Sequence, residues 1–222
     1  MEKIIMIGGK GSAVVVAEQI YDTQIKNGTV EFLGFAFDDE SYGEQINGFP
    51  ILCKTYEAYE KYGKYEDVKF LYQLYRPDLM KERIQLLQSY QIPRERFATF
   101  IHHSAYVAKS AVLGYGNIIL SNVVINSNAV IGDFNTIHSN SLVGHDTSLQ
   151  NYNFVAAHNV IGSNSKIGDA NFFGINSSIN NYISIGNFNF VGMASNLIKG
   201  LENENKVYGN PARNFEGKIK PL

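Results

Sequence analysis

From Ile101 onward every sixth residue is apolar: Ile101, Val107, Leu113, Ile119 and so on to Val191 and Leu197, 17 positions in succession without an insertion. The fifth residue of each block is small or polar nearly throughout, as in Ala105, Ser141, Thr147 and Ser177, and the second is often glycine. A period of six does not fit an α-helix, and the segment is rich in the Gly, Asn and β-branched residues that disfavour one. Hexapeptide periodicity predicts a parallel β-helix instead. Three blocks close one triangular coil, so each residue lies above the one 18 positions earlier, at the ~4.8 Å spacing of paired strands. The near-copies IGDFNT (131–136), IGDANF (167–172) and IGNFNF (185–190) are in step with that coil. They put Asn117, Asn135, Asn153, Asn171 and Asn189 in one column, where the spacing predicts a stacked ladder of amides with a structural role.

The first hundred residues follow other periods. KIIMIG reads as a buried strand, GGKGS as a tight turn and AVVVAEQIYDTQIKNG as a helix ending at Gly28. VEFLGFAFDDE is a second strand with acids at its end, and KFLYQLY is a third. After Pro77, DLMKERIQLLQSY is predicted to be a helix with Asp78 as its cap. Alternating strands and helices predict a small parallel sheet of Rossmann type, with ligands at the carboxyl ends of its strands.

Composition supports the division. Lys, Glu and Tyr crowd the chain up to about residue 97, while Asn, Ser, Gly, Ile and Val dominate 101–198. The expected fold class is α/β plus all-β: a Rossmann-like domain over 1–98, a hexapeptide-repeat β-helix over 99–200 and a tail over 201–222. A net charge of -2 gives no electrostatic footprint for nucleic acid or an anionic membrane. The single cysteine, Cys53, rules out an internal disulfide framework and suits a reducing compartment. The N-terminal apolar run is short for a signal peptide, and no stretch approaches the ~18 residues of a membrane span. A cytoplasmic protein is expected.

Candidate chemistry is sparse. Gly8, Gly9 and Gly11 lack the third glycine of a dinucleotide fingerprint. The amides of Gly9, Lys10, Gly11 and Ser12 at a helix N-terminus suit a phosphate or nucleotide, or the glycines simply permit a tight turn. Asp38 and Asp39 offer acceptors to a ribose or base edge, or solvate a strand end. Of the five histidines, His145 stands apart, because Asp146 follows it in LVGHDTSL and a carboxylate there raises the basicity a general base requires. Neighbours in a flat strand point to opposite faces, so the pairing needs a bend at this position. Ser163, 18 residues on, is expected to set its N–H one coil above His145, where an oxyanion is met. Intervals of 7, 13 and 20 residues among His138, His145 and His158 stack none over another, and no metal site is expected.

Taken in order, IGGKGSA, a strand ending FDD, FIHHSA, an uninterrupted hexapeptide array containing VGHD, and VYGNPAR resemble the bacterial sugar acyltransferases of the sialic-acid O-acetyltransferase type. Within that group the chain is most similar to the nucleotide-amino-sugar N-acetyltransferases. The resemblance implies a homotrimer of left-handed β-helices, with acetyl-CoA held between neighbouring subunits and a nucleotide sugar held by the N-terminal domain. It implies His145 as catalytic base, Asp146 as its partner and the Ser163 amide as the oxyanion donor. FFGIN and FVGMAS match segments that line the CoA channel in the family, which nominates Gly174, Ile175, Gly192 and Met193. Three departures fall where acceptor contacts are expected: Ser12 replaces a histidine of the turn, His138 an asparagine, and Phe154 a second histidine.

The activity expected from the resemblance is acetyl transfer from acetyl-CoA to the amine of a nucleotide-linked amino sugar, in surface-glycan biosynthesis. O-acetylation of a sugar hydroxyl and a non-catalytic nucleotide-sugar-binding trimer stay open beside it. Outward aromatic residues such as Phe134, Tyr152, Phe172, Phe188 and Phe190 independently suggest an interface between copies.

Overall fold

The computed structural model describes residues 1–215 and 217. Strands β1 (Glu2–Ile7), β2 (Val30–Ala36), β3 (Gln45–Ile46), β4 (Phe49–Cys53) and β5 (Val68–Tyr72) form one sheet in the order β3-β4-β2-β1-β5. All its pairings are parallel except the β3-β4 hairpin. Strand β1, between β2 and β5, is covered on both faces, which is why Ile4, Ile5, Met6 and Ile7 form an unbroken apolar run. Helix α1 (Ser12–Asn27) packs Ala13, Val16, Ala17 and Ile20 on the sheet and ends at Gly28, whose φ of 63° is the left-handed cap that glycine permits. Two further helices follow, α2 (Ala58–Tyr62) and α3 (Met80–Ser89). The cap expected of Asp78 is not made. Its carboxylate instead accepts two hydrogen bonds from Arg76, at 2.7 and 3.1 Å, a bidentate charge-assisted pairing stronger than a neutral cap.

The rest of the chain is a left-handed parallel β-helix. Three sheets of six, five and eight strands run along it, and partners such as Val124 and Leu142, or Thr136 and Phe154, are 18 residues apart. First-position residues point inward and build the core: Ile125, Val143, Ile161, Ile179 and Leu197 are at most 3% exposed. Corners turn at the fourth position, where the backbone is left-handed even for large residues: φ is 59° at Asn128, 56° at Asp146, 60° at His158 and 60° at Tyr182.

Fifth-position side chains then turn inward and satisfy the corner. At the edge between the five- and eight-stranded sheets, Asn153 Oδ1 accepts from both the N–H and the Nδ2 of Asn171, and Asn153 Nδ2 donates to Asn135 Oδ1 and Gly168 O. The expected amide ladder thus runs through all five asparagines, each at most 2% exposed.

Two expectations need correction. Residues 201–208 are not a tail: Lys206–Tyr208 pairs with Phe190–Val191, so the β-helix takes one further, shorter coil. Of the remaining tail, 216 and 218–222 lie outside the described residues. The outward aromatics also find contacts within their own chain, Phe188 with its ring centroid 5.0 Å from Lys81 Nζ. Phe134 is buried against Phe97 of the N-terminal domain and stacks on Tyr152, while Phe154, Phe172 and Phe190 stack on one another.

The N-terminal domain sits on the eight-stranded sheet. Phe100, Ile118 and Leu120 join Ile4, Met6 and Val16 in one apolar cluster, and Arg94 pairs with Asp133 across the boundary. Among the described residues no helix is long and apolar enough to cross a membrane. Asn153→Ala removes one rung of the ladder and strands the Asn171 donors in a dry core, so it should lower stability by about 2–5 kcal/mol in urea or thermal unfolding.

Candidate functional site

A cleft of about 810 Å³ opens where the N-terminal domain meets the β-helix. Lys10, Gly11 and Ser12 line it from the turn before α1, Gln73 to Pro77 from the end of β5, and His138, Phe154, Phe172 and Ile175 from the β-helix. The carboxyl end of β5 is where a parallel sheet presents ligands.

The three departures named above meet here. The Ser12 hydroxyl lies 3.0 Å from His138 Nε2, and the His138 ring is tilted against Phe154 with centroids 4.9 Å apart. Gln73 Nε2 donates to Ser12 Oγ at 2.7 Å, and Thr136 Oγ1 donates to Gln73 Oε1 at 3.1 Å. Ser12 Oγ thus accepts from Gln73 and shares a hydrogen bond with His138 Nε2. Burial pushes the His138 pKa down to about 4, which keeps it neutral.

Other nominated residues of the turn behave differently. Gly9 packs: a Cβ there would lie 2.6 Å from the Phe37 ring. Gly11 faces open space at a φ of 52° that glycine tolerates best. Asp38 and Asp39 do not line the cleft. Both Asp38 oxygens accept from Thr55, at 2.7 Å each, and Asp39 is tied to Lys10 and Ser41, with its pKa lowered to about 2 chiefly by Lys10. Both acids are thus held by donors of their own domain.

His145 and Asp146 lie on a different edge. They occupy the corner between Leu142–Val143 of the six-stranded sheet and Ser148–Leu149 of the five-stranded sheet. That corner of the triangle faces away from the eight-stranded sheet, which carries the cleft. The expected bend is present: the left-handed backbone of Asp146 turns its carboxylate back beside the ring, with His145 Nδ1 2.6 Å from Asp146 Oδ2. Asn128, one coil below, donates to the other carboxylate oxygen at 2.9 Å. Hydrogen bonds from His145 and then Asn128 hold the Asp146 pKa below its ordinary value. The pair remains open, with side chains 55% and 45% exposed.

Gly144 lets the next coil close over this corner, since a Cβ would lie 2.5 Å from the Ser163 nitrogen. The Ser163 N–H, however, donates to Asn181 Oδ1 at 2.8 Å, so it meets an oxyanion only when that carboxamide is displaced.

The nominated CoA segments lie on the edge between the eight- and six-stranded sheets. Gly174 and Gly192 serve close approach: a Cβ would strike Met193 N at 2.6 Å in one case and the Tyr208 ring at 2.0 Å in the other. Ile175 and Met193 are exposed third-position residues in a column with Ala157. Among the described residues the N–H groups of Ala157, Ile175 and Met193 make no hydrogen bond, whereas the equivalent amides of Asp133, Asn151 and Asp169 on the asparagine edge are all capped by side chains. A row of free donors along a coil edge suits an extended amide-bearing ligand. Residues of the cleft that the sequence did not single out are Gln73, Tyr75, Arg76 and Arg83, although the rule of carboxyl ends points to the stretch after β5.

The depressed His138 pKa has a stability consequence. Above the unfolded value of about 6.5 both states are neutral, and between that value and about 4 only the unfolded chain takes up the proton. Stability is therefore complete above about 6.5 and falls with pH by about 3 kcal/mol on reaching the folded pKa. Unfolding of His138→Asn should show a shallower slope than the parent across that window.

No family model matches the chain, and no curated protein matches it. Solved structures do. The acetyltransferase domain of PglB from Neisseria gonorrhoeae FA1090 superposes with a TM-score of 0.82 at 23% identity, covering 97% of this chain and all of that one. A mutant of perosamine N-acetyltransferase from Caulobacter crescentus, in complex with CoA and GDP-perosamine, gives 0.80 at 21% identity over 98% of both chains. WeeI from Acinetobacter baumannii AYE gives 0.65 at 18% identity over 97% of this chain and 100% of that one. The two-domain fold of this chain, from end to end, is similar to that of the PglB acetyltransferase domain and of perosamine N-acetyltransferase.

Proposed function

We propose that the protein is an acetyl-CoA-dependent N-acetyltransferase of a nucleotide-linked amino sugar, acting as a cytoplasmic homotrimer in surface-glycan biosynthesis. The observation that carries this reading is the exposed His145–Asp146 pair, held at 2.6 Å on a corner that no part of its own chain's cleft reaches. Two of the similar structures hold ligands of this kind, acetyl-CoA in one and CoA with GDP-perosamine in the other.

Acetyl-CoA supplies an activated acyl group as a thioester, and the free N–H groups of Ala157, Ile175 and Met193 suit its extended arm. His145 donates its Nδ1 proton to Asp146, which leaves the Nε2 lone pair directed outward. Nε2 takes the proton of the sugar amine as its nitrogen bonds to the acyl carbon, a role worth ~10²–10⁴ in rate. The carbon–sulfur bond then breaks and the imidazolium returns that proton to the departing thiolate. Ser163 N–H stabilises the oxyanion, worth ~10²–10³, once the Asn181 carboxamide yields. Transfer to a hydroxyl would use the same groups.

Shared active sites follow from the separation of cleft and base. The six-stranded sheet runs between the edge with Ile175 and the edge with His145, and packing copies through this sheet joins the two. Its outward row is apolar at Tyr106, Val124, Leu142 and Val160, with Tyr106 59% and Val160 44% exposed.

His145→Ala should lower kcat by ~10²–10³ and leave the KM for acetyl-CoA within a few-fold, while Asp146→Asn should cost about tenfold, both read as thiol release with a panel of UDP-, GDP- and dTDP-amino sugars. Near-full activity of His145→Ala would remove the base from this corner. Light scattering at micromolar concentration should give three times the chain mass, and Val160→Glu should reduce that mass and lose activity more than tenfold; a fully active monomer would sink the shared site.

A further inference from the structure

Three cations line the cleft, and two are already neutralised. Lys10 is bonded to Asp39, and Arg76 to Asp78 through two hydrogen bonds. Arg83 is different. It is the fourth residue of α3, and its main-chain carbonyl is pinned by the Tyr72 hydroxyl at 2.6 Å. Among the described residues its guanidinium has neither a carboxylate nor a hydrogen-bond partner, and its Nε is buried without one. The one other such Nε belongs to Arg96, whose terminal nitrogens are engaged by the carbonyls of Gly63, Tyr65 and Val68. A half-buried guanidinium left without an acceptor is unfavourable unless a ligand supplies one.

What the cleft asks of that ligand can be read from its other polar groups. Among the described residues no aspartate or glutamate lines it. The Ser12–His138 hydrogen bond engages His138 Nε2, and burial keeps the ring uncharged. The N-terminus of α1 has no acid in its first turn and no side-chain cap. Helix N–H groups and a free guanidinium, with no carboxylate in competition, select an anion, and a guanidinium fork fits two phosphate oxygens at once.

We propose that Arg83 is the residue that binds the phosphate group of the ligand in this cleft, holding a nucleoside diphosphate through a bidentate contact. This inference rests on the nucleotide-sugar reading above and names the charged contact that fixes the nucleotide at the domain boundary.

Calorimetric titration of the full chain with free UDP, GDP and dTDP tests it without recourse to catalysis. The parent should bind at least one of the three. Arg83→Gln should weaken that binding at least tenfold and flatten its dependence on salt, since one ion contact is lost. Arg83→Lys should recover only part of the affinity, because a point charge replaces a fork. Both variants should keep the parental melting temperature within a few degrees and the parental KM for acetyl-CoA. Equal affinity and salt dependence in the parent and Arg83→Gln would overturn the role of Arg83 and leave the nucleotide-sugar reading standing. A parent that binds none of the three nucleotides would overturn that reading, and this inference with it.

Discussion

At the fourth position of each hexapeptide the backbone takes a left-handed turn, and the geometry of the molecule rests on it. For a residue with a side chain this conformation costs on the order of 1–2 kcal/mol, yet Phe134, Asp146, Tyr152 and Tyr182 all adopt it. The turn persists because the next side chain points inward and meets every polar demand of the corner, as the asparagine column does with both its oxygen and its nitrogen. Aliphatic first positions then close the core. No single coil would survive alone; each corner is stabilised by the one above and the one below.

The same turn explains how adjacent residues come to act as a pair. Along a strand His145 and Asp146 would face opposite ways; at a left-handed corner both side chains leave the surface on one side. Corner chemistry on a prism has a drawback, since the three edges are far apart. Docking the N-terminal domain on the eight-stranded sheet commits the cleft to one side of the prism and leaves His145 on the opposite edge. A single chain thus carries the cleft and the His145–Asp146 pair apart, and the apolar row of Tyr106, Val124, Leu142 and Val160 lies on the face between the Ile175 and His145 edges.

Much of this was legible in the residues because several levels agreed. Period, inward aliphatics and the asparagine column all demanded one coil of fixed length, and the His145–Asp146 pair was visible as neighbours. Other features were hidden for definable reasons. Asp78 satisfies every rule for a helix cap, but Arg76 stands two residues away and competes for its carboxylate. The hairpin of β3 and β4 was signalled by Asn47-Gly48, whose φ values of 49° and 82° suit the tight turn such a dipeptide makes, and it went unread. Asn181 over Ser163 follows from adding one coil length, so its claim on that amide was also available. Arg83 was not: on a helix its spacing resembles that of any solvated cation, and only the cleft reveals that it lacks a partner.

The chain of hydrogen bonds from Thr136 through Gln73 and Ser12 to His138 crosses the domain boundary twice. Thr136 donates to Gln73 and Gln73 to Ser12, whose hydroxyl meets the His138 ring. The cleft floor is therefore a jointly owned surface: two of its four members come from each domain, and neither domain carries a complete half. A chimera that grafts this β-helix onto a foreign N-terminal domain would inherit His138 without the serine hydroxyl that meets its ring. Exchange of a whole module would break this chain of hydrogen bonds, and a change in the cleft floor calls for coordinated replacement on both sides of the seam.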